Sequence, residues 1–502
     1  MGSALKPVTT TKLDVVMDEC AGETIDDHKP IDGFSDAEKQ LEDTGSIPCD
    51  FVYSSKESTR IRWKLDLILL PMMAFTYILN YMDKVALSEA SIFGLQKDLG
   101  LVGQQYSWSS SIFYLGYLVW QYPSSLLMQK LPIGRYFGVM IFLWGLTAIT
   151  TAFTKGFATL SVNRVFLGIF ESCMSPILTI LVSQYWTRDE QPLRASLWWS
   201  ASAVGAFIAD SITYGVSGKD RTGSTYAVWK IIYLVFGSST LLWGIIIFFA
   251  VPSSPMEAWF LNKRERKIAA AQVMKNHTSI KNTEYKWHQV RECLIDPQPW
   301  ILAIHAFLQS LQGGGLTSFS KIVLTETLGY TSRQATLMSM PSNTIHLVSV
   351  VFAGWFCSHY KNTRCYVMIA TNSIVLIGAV LIAIIYMNTV PFGLGMSMIS
   401  SNIAGFTKKS TASVLMFLGY CLGQFTGPQL FIEKQAPKFQ TAFRGFYSSI
   451  SVMIFLEIAL VIYIRYQNHR RDRLQADNNS PNITENDSDL TDWEQPSFRY
   501  VW

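Results

Sequence analysis

The sequence predicts an all-α membrane protein with twelve membrane-spanning helices in two bundles of six. Hydrophobic residues make up 49% of the chain and charged residues only 16%, whereas soluble domains carry about 25% charged residues. The charges are crowded into residues 1–64, 252–298 and 465–502. The rest consists of apolar runs, each close to the ~20 residues needed to cross ~30 Å of hydrocarbon. Trp and Tyr lie near many run ends, as in an interfacial belt.

The apolar runs divide into six on each side of a polar central segment. The candidate spans are 66–93, 107–128, 134–153, 159–186, 194–216, 228–251, 299–321, 335–358, 366–387, 390–406, 411–432 and 444–466. A six-plus-six layout around a central loop is typical of a large class of secondary transporters.

The same pattern predicts five regions of the chain. They are a disordered N-terminal tail at 1–59, a six-helix bundle at 60–251, a central loop at 252–298, a second bundle at 299–466 and a C-terminal tail at 467–502. Connections after even-numbered spans carry sixteen lysines and arginines, against nine after odd-numbered spans. The positive-inside rule therefore predicts a multi-pass protein with both tails and the central loop in the cytoplasm. We expect the plasma membrane to be its location.

The region 366–406 fits this layout badly. It must hold two spans joined by only two or three residues, and the second span, 390–406, would rise only roughly 24 Å. A natural variant, a splice form or a deletion would each produce such a short region, so transport competence is an open question at this point.

Two ionisable residues in the first span are forced into the membrane. The uncharged run Leu67–Met82 has only sixteen residues, so a full span must continue through Asp83 and Lys84. Ionisable groups in the hydrocarbon are costly, and each is therefore a candidate functional residue. The alternative is an interfacial pair at an early helix end, but apolar Val85 follows directly.

The fourth span carries Arg164 and Glu171, which share one helix face because seven residues separate them. They are about 10 Å apart along the axis, so each needs a partner on another helix or in a water-filled cavity. A static ion pair is an equally good interpretation of Arg164. Glu171 lies near the middle of the membrane, where apolar surroundings favour the neutral carboxyl, so it can bind a proton near neutral pH.

These positions predict a proton relay between Asp83 and Glu171, with Lys84 supplying positive charge for an anionic substrate. Further ionisable residues in the spans are weaker candidates, namely Asp210, His305, Lys321, His346 and Glu457. Asp210 and His346 are candidates for lining a cavity, although a satisfied polar contact between helices is the favoured interpretation.

Two glycine patterns complete the candidate set. Gly419, Gly423 and Gly427 form a double GxxxG stripe, for which close helix packing is the favoured interpretation. Gly313-Gly314-Gly315 in the seventh span predicts a helix break or hinge. We expect these glycines and Arg164 to have a structural or gating role.

No catalytic or nucleotide-binding motif is present in the sequence. It contains no G-x-x-x-x-G-K-[ST] loop and no HExxH motif, and its seven cysteines lack metal-ligand spacing. The sequence therefore predicts a transporter driven by ion gradients rather than an enzyme, without a cofactor or metal site. Its expected partners are a small organic anion, protons and the lipid bilayer, with no nucleic acid, and the chain is expected to be monomeric.

Several motifs resemble one transporter family. They are Asn80-Tyr81-Met82-Asp83-Lys84-Val85-Ala86-Leu87, Pro132-Ile133-Gly134-Arg135-Tyr136, Arg164-Val165-Phe166-Leu167-Gly168-Ile169-Phe170-Glu171, Ser401-Asn402-Ile403-Ala404-Gly405-Phe406-Thr407-Lys408-Lys409, Gly419-Tyr420 and Gly427-Pro428-Gln429. Together they resemble the fungal allantoate permease family, an anion:cation symporter group of the major facilitator superfamily.

The resemblance implies proton-coupled uptake of a small organic anion by alternating access of two six-helix bundles. Ureido acids such as allantoate, nicotinate-like vitamins and carboxylates are the implied substrates. It also implies that Asp83 and Glu171 carry protons and that Lys84, with its neighbours Asn80 and Tyr81, binds the substrate. Two alternatives stay open: a non-transporting nutrient sensor on the same fold, and a facilitator for an uncharged solute.

Overall fold

In the computed structural model the described part of the chain is entirely helical apart from its turns and connections. The description covers residues 54–187, 190–218, 226–274, 286–360, 362–380, 389–477, 490–495 and 498–502. Most of the predicted N-terminal tail, part of the central loop and part of the C-terminal tail lie outside these residues.

Twelve helices of the described residues overlap the twelve predicted spans, which fits the predicted number. In the first half they are α1 (Ser55–Ile92), α2 (Gln105–Lys130), α3 (Ile133–Thr151), α4 (Phe157–Glu171 continued by Met174–Tyr185), α5 (Gln191–Val216) and α6 (Val228–Ala250). In the second half they are α7 (Pro297–Ile322), α8 (Ser332–His359), α9 (Arg364–Val380), α10 (Thr389–Asn402), α11 (Phe406–Thr426) and α12 (Gln440–Asp477).

Among the described helices, α1, α3, α4, α6 and α12 are long and apolar enough to cross a membrane by length and composition alone. The others carry more polar residues or are shorter. Within the first bundle α3 packs on α6, α1 on α5 and α2 on α4; within the second, α7 packs on α11 and α9 on α12. Contacts of α1 with α7, α2 with α11 and α5 with α8 join the two bundles.

The start of α1 differs from the prediction. The sequence predicts a disordered tail through residue 59, but the helix begins at Ser55. The Ser54 side chain and the Glu57 carboxylate form a capping box around the first turn, which satisfies backbone N–H groups that would otherwise lack partners. The helix therefore starts well before the apolar run that the span prediction detected.

The GxxxG stripe of α11 is a packing surface, as favoured from the sequence. A Cβ atom at Gly419 would lie 2.3 Å from the carbonyl oxygen of Ala303, and one at Gly423 would lie 2.3 Å from that of Phe307. Because both oxygens belong to the backbone of α7, the two helices touch at distances that only glycine permits.

The predicted break at Gly313-Gly314-Gly315 is wrong, because α7 runs through it without interruption. A Cβ at Gly314 would lie 2.7 Å from the carbonyl oxygen of Gln424, and one at Gly315 would lie 2.7 Å from the ring of Phe446. Packing against α11 and α12 offsets the low helix propensity of glycine.

The described part of α10 has 14 residues and rises roughly 21 Å. It begins directly after residues that lie outside the description, so the predicted shortness of the tenth span stays a prediction. The predicted junction between the ninth and tenth spans falls in 381–388, outside the described residues.

We call the end of the bundles where α1 ends and α2 begins the distal end, and the opposite end, where α7 begins, the proximal end. The last residues of the chain pack on the proximal end of the second bundle. Asn468 exchanges two hydrogen bonds with the backbone of Tyr500, at 2.9 and 3.0 Å. Asn402 does the same with Val501, at 2.7 Å each. The sequence predicts only a polar tail for this segment.

Lys408 anchors the same region. Its ammonium lies 2.7 Å from a Glu292 oxygen, 2.8 Å from one of Asp492 and 3.1 Å from one of Asp296. Burial alone would lower the pKa of Lys408, but the carboxylates of Asp492 and Asp296 outweigh burial and raise that pKa. The central segment, the start of α11 and the C-terminal residues are thus joined at one charged cluster.

Candidate functional site

A buried ion pair joins α1 to α4 in the first bundle. The Lys84 ammonium lies 3.1 Å from Oε1 of Glu171, and the two side chains are 15% and 1% exposed. The amide of Asn80, one turn before Lys84, lies close to the same carboxylate. Asn80 is buried, and its Nδ2 has no hydrogen-bond partner within the described structure.

Asp83 and Lys84 do not pair with each other. Successive residues of an α-helix are rotated by about 100°, so the two side chains leave α1 in different directions. Asp83 accepts a hydrogen bond of 3.2 Å from the indole of Trp144 on α3. Its second oxygen has no hydrogen-bond partner in the described chain. Asp83 remains within electrostatic reach of Glu171.

Arg164 and Glu171 each find a partner on another helix, as their spacing required. Arg164 is buried and donates a hydrogen bond of 2.8 Å to the hydroxyl of Tyr233 on α6. The partner of Glu171 is Lys84 on α1. The first part of α4 ends directly at Glu171, before a turn at Ser172 and Cys173. Nothing in the sequence indicated this interruption.

Tyrosines from both bundles lie within electrostatic reach of the Lys84 ammonium. The group that interacts with Lys84 includes Tyr77 on α1, Tyr114 on α2 and Tyr420 on α11. Tyr114 and Tyr420 meet edge to face, with ring centroids 6.4 Å apart. Next to them Tyr117 of α2 stacks on Phe417 of α11 at 5.7 Å. The ion pair therefore lies where the two bundles meet.

Sequence reasoning missed most of this aromatic wall. Tyr77, Tyr81 and Lys84 stand at i, i+4 and i+7 and therefore share one face of α1, a signal that could have identified Tyr77. Tyr81 was a predicted binding residue and is half-buried. Tyr114 and Tyr420 have no comparable signal, because only the docking of α2 on α11 brings them to Lys84.

A second buried cluster lies at the distal end and crosses between the bundles. The Lys321 ammonium of α7 lies 2.9 Å from Oε1 of Glu89 on α1 and 2.6 Å from Oδ1 of Asp210 on α5. All three side chains are at most 5% exposed. We call these three residues the distal triad. Asp210 and Lys321 were weak candidates from the sequence, and Glu89 was missed.

The other weak candidates lie in the second bundle. Glu457 on α12 accepts hydrogen bonds from His305 on α7, at 2.9 Å, and from Asn372 on α9, at 2.7 Å. This agrees with the expected polar contact between helices. His346 is buried in α8. Within the described residues no group of His, Cys, Asp and Glu could hold a metal ion.

Comparison with known proteins places this arrangement in a family. Residues 73–428 match the model of the Major Facilitator Superfamily. The chain is 34% identical over 478 residues to the allantoate permease of Saccharomyces cerevisiae, covering 89% of this chain and 87% of that protein. An uncharacterized transporter of Schizosaccharomyces pombe is 32% identical over 90% of this chain and 89% of its own length. A thiamine pathway transporter of S. cerevisiae is 26% identical, covering 90% and 88%.

Solved structures support the same fold. A bacterial homologue of the human lysosomal transporter Spinster superposes with a TM-score of 0.57 at 13% identity, covering 81% of this chain and 96% of that one. A D-xylose–proton symporter gives 0.55 at 13% identity, covering 77% and 96%. The chain therefore belongs to the major facilitator superfamily and, within it, to the fungal allantoate permease family. Members of this superfamily are membrane transporters and not enzymes.

Proposed function

We propose that the protein is a proton-coupled symporter that imports a small organic anion by alternating access of its two bundles. The observation that carries the proposal is the buried Lys84–Glu171 pair among tyrosines of both bundles. The allantoate permease relative supports an anionic substrate. Ureido acids, nicotinate-like vitamins and carboxylates are the substrate classes that this site would accept.

The charge of the site explains how proton and anion would be coupled. In the observed pair Lys84 neutralises Glu171, so an anion that enters alone leaves one uncompensated negative charge in a buried site, which is costly. When Glu171 binds a proton, Lys84 is released and can pair with the substrate carboxylate instead. The site is then neutral again, so anion and proton bind together more readily than either alone.

In this proposal Glu171 exchanges the proton, and Asp83 is the second member of the relay. Asp83 is buried, carries one oxygen without a partner among the described groups and interacts electrostatically with Glu171. Asn80 and Tyr81 complete the binding surface of α1 beside Lys84. Arg164 has a structural role in the first bundle, through Tyr233.

The proposed orientation places the proximal end and both chain termini in the cytoplasm of a cell whose plasma membrane holds the transporter. The distribution of lysine and arginine among the connections supports it. The distal end then faces the outside, where a symporter collects its substrate and proton.

The test is uptake by yeast cells that lack their own permeases, with a panel of labelled ureido acids, vitamins and carboxylates. We expect at least one anion to accumulate against its gradient and a protonophore to stop that accumulation while the cells stay intact. Uptake that ignores the protonophore would refute proton coupling. Uptake of uncharged solutes only would indicate a facilitator, and no uptake from a correctly located protein would favour a nutrient sensor.

A further inference from the structure

The distal triad joins the two bundles at the end where the structure is closed. Glu89 and Asp210 belong to the first bundle and Lys321 to the second, so the bundles cannot separate at this end without breaking the contacts of Lys321. Other bonds close the same end. The hydroxyl of Tyr106 on α2 donates to the carbonyl oxygen of Ser318 on α7 at 2.7 Å.

The triad carries one more negative charge than positive charge when both carboxyls are ionised. Lys321 is its only cation among the described residues that face Glu89, and Asp210 is the other charged group. The neighbouring helix α8 contributes the uncharged Thr336, Ser339 and Asn343. A buried net charge is unfavourable, and binding one proton removes it.

The hydrogen bonds indicate which carboxyl binds that proton. Asp210 accepts bonds of 2.6 Å from Lys321, 2.9 Å from Ser339 and 2.7 Å from Asn343, so fixed donors stabilise its charge. Glu89 has the ammonium of Lys321 and only a long contact of 3.4 Å from Thr336. Glu89 also interacts with the Asp210 side chain, to which a protonated Glu89 could donate.

We propose that Glu89 is a second protonation site of the transporter and that closure of the distal end requires a proton on Glu89. This rests on the proposed function, in which the distal end faces outside. When the bundles separate, water solvates both carboxylates and Glu89 loses its preference for the proton. The closed state therefore binds the proton more tightly than the open state, and linkage requires that acid favours closure.

The position of Glu89 suits an early step in proton uptake. It lies three residues before the end of α1, whereas Lys84 lies five residues deeper, about 7.5 Å along the helix. A proton entering from the distal side reaches Glu89 before it reaches Glu171. The triad would thus sense the outside pH at the moment when the transporter closes over its substrate.

The test measures closure without any substrate. Ser318 lies on α7 three residues before Lys321, on the side away from the distal end. Its hydroxyl is 2.5 Å from that of Ser110 on α2. A Ser318→Cys variant on intact cells should react with a membrane-impermeant maleimide only while the distal end is open. Val102 is exposed in the connection after α1, so Val102→Cys corrects for the pH dependence of thiol reactivity itself.

We expect the ratio of Ser318→Cys labelling to Val102→Cys labelling to rise roughly tenfold between about pH 5.5 and pH 7.5, since proton occupancy changes up to tenfold per pH unit. Adding Glu89→Gln, which mimics the protonated carboxyl, should keep the ratio low at every pH. The matched control is Glu326→Gln, an exposed carboxyl of the distal end that interacts with Glu433 rather than with Lys321. It should keep the pH response of the parent.

Two results would overturn the proposal: a ratio in the parent that does not change with pH, or a Glu89→Gln variant that keeps the response of the parent. If Glu89→Gln does not reach the cell surface, the parent profile alone decides. If uptake is driven by protons but labelling does not change with pH, this inference is refuted and the proposed function is retained. If labelling changes with pH but the protonophore has no effect on uptake, the proposed proton coupling is refuted and this inference is retained.

Discussion

Two of the buried lysine–carboxylate clusters among the described residues, the Lys84–Glu171 pair and the distal triad, differ in which bundles they join. Lys84 and Glu171 both belong to the first bundle, so their contact can persist while the bundles rock. The distal triad has its carboxylates on the first bundle and its ammonium on the second, so rocking must break it. The comparison teaches that the same pair of side-chain types can lie within one bundle or across two, and we propose that the first arrangement binds the anion and the second depends on the conformation.

The largest effect should come from Lys84→Ala. Removing the cation leaves Glu171 without its partner and the anion without a counter-charge, and such losses are worth about 3–5 kcal/mol. We expect uptake to fall at least ~100-fold at unchanged surface expression, while the pH profile of Ser318→Cys labelling is kept. The matched control is Lys97→Ala, a cation in the connection after α1. Normal uptake kinetics in Lys84→Ala would remove Lys84 from the binding site.

The next prediction concerns Glu171→Gln and distinguishes the coupling of transport to protons from the movement of substrate itself. Glu171→Gln keeps the shape and hydrogen-bonding ability of the side chain but cannot bind and release a proton. We expect uphill accumulation under an imposed pH gradient to be lost in vesicles, while counterflow of substrate without a gradient persists. A variant that still concentrates substrate would show that Glu171 does not couple transport to protons.

The smallest effect concerns packing that involves neither cluster. In Gly423→Ala the new Cβ would meet the backbone oxygen of Phe307 at 2.3 Å, so the α7–α11 contact must widen. Overpacking of this kind costs about 1–3 kcal/mol, and the midpoint of thermal unfolding in detergent should fall. The control is Gly393→Ala in α10, where the new Cβ would have no neighbouring atom within 4 Å. This variant should leave the midpoint of thermal unfolding unchanged. Equal midpoints would show that the contact relaxes freely.

Much of the fold could be predicted because the membrane limits the choices. Each hydrocarbon crossing needs about 20 apolar residues in a helix that satisfies its own backbone, so apolar runs locate helices directly. The position of Glu171 deep in its span was also readable, because helix position translates into depth. The prediction failed at Gly313-Gly314-Gly315, where propensity indicates a break but contacts with α11 and α12 maintain the helix.

The C-terminal residues show the opposite limit. Their polar composition indicated a tail, yet the segment holding Tyr500 and Val501 is bound by Asn468 and Asn402 through backbone atoms. Backbone groups are present at every residue, so a sequence pattern cannot reveal which of them a distant side chain will bind.

The sequence by itself determined the class of protein, its helical architecture and the presence of Asp83, Lys84, Arg164 and Glu171 within the helices. Hydrophobicity and residue count decide these properties locally. Only the tertiary structure decided that Lys84 pairs with Glu171 rather than with Asp83, and that Glu89 faces a lysine more than 200 positions away. Pairing depends on the rotation of each helix about its axis and on which helices touch, and long-range packing sets both.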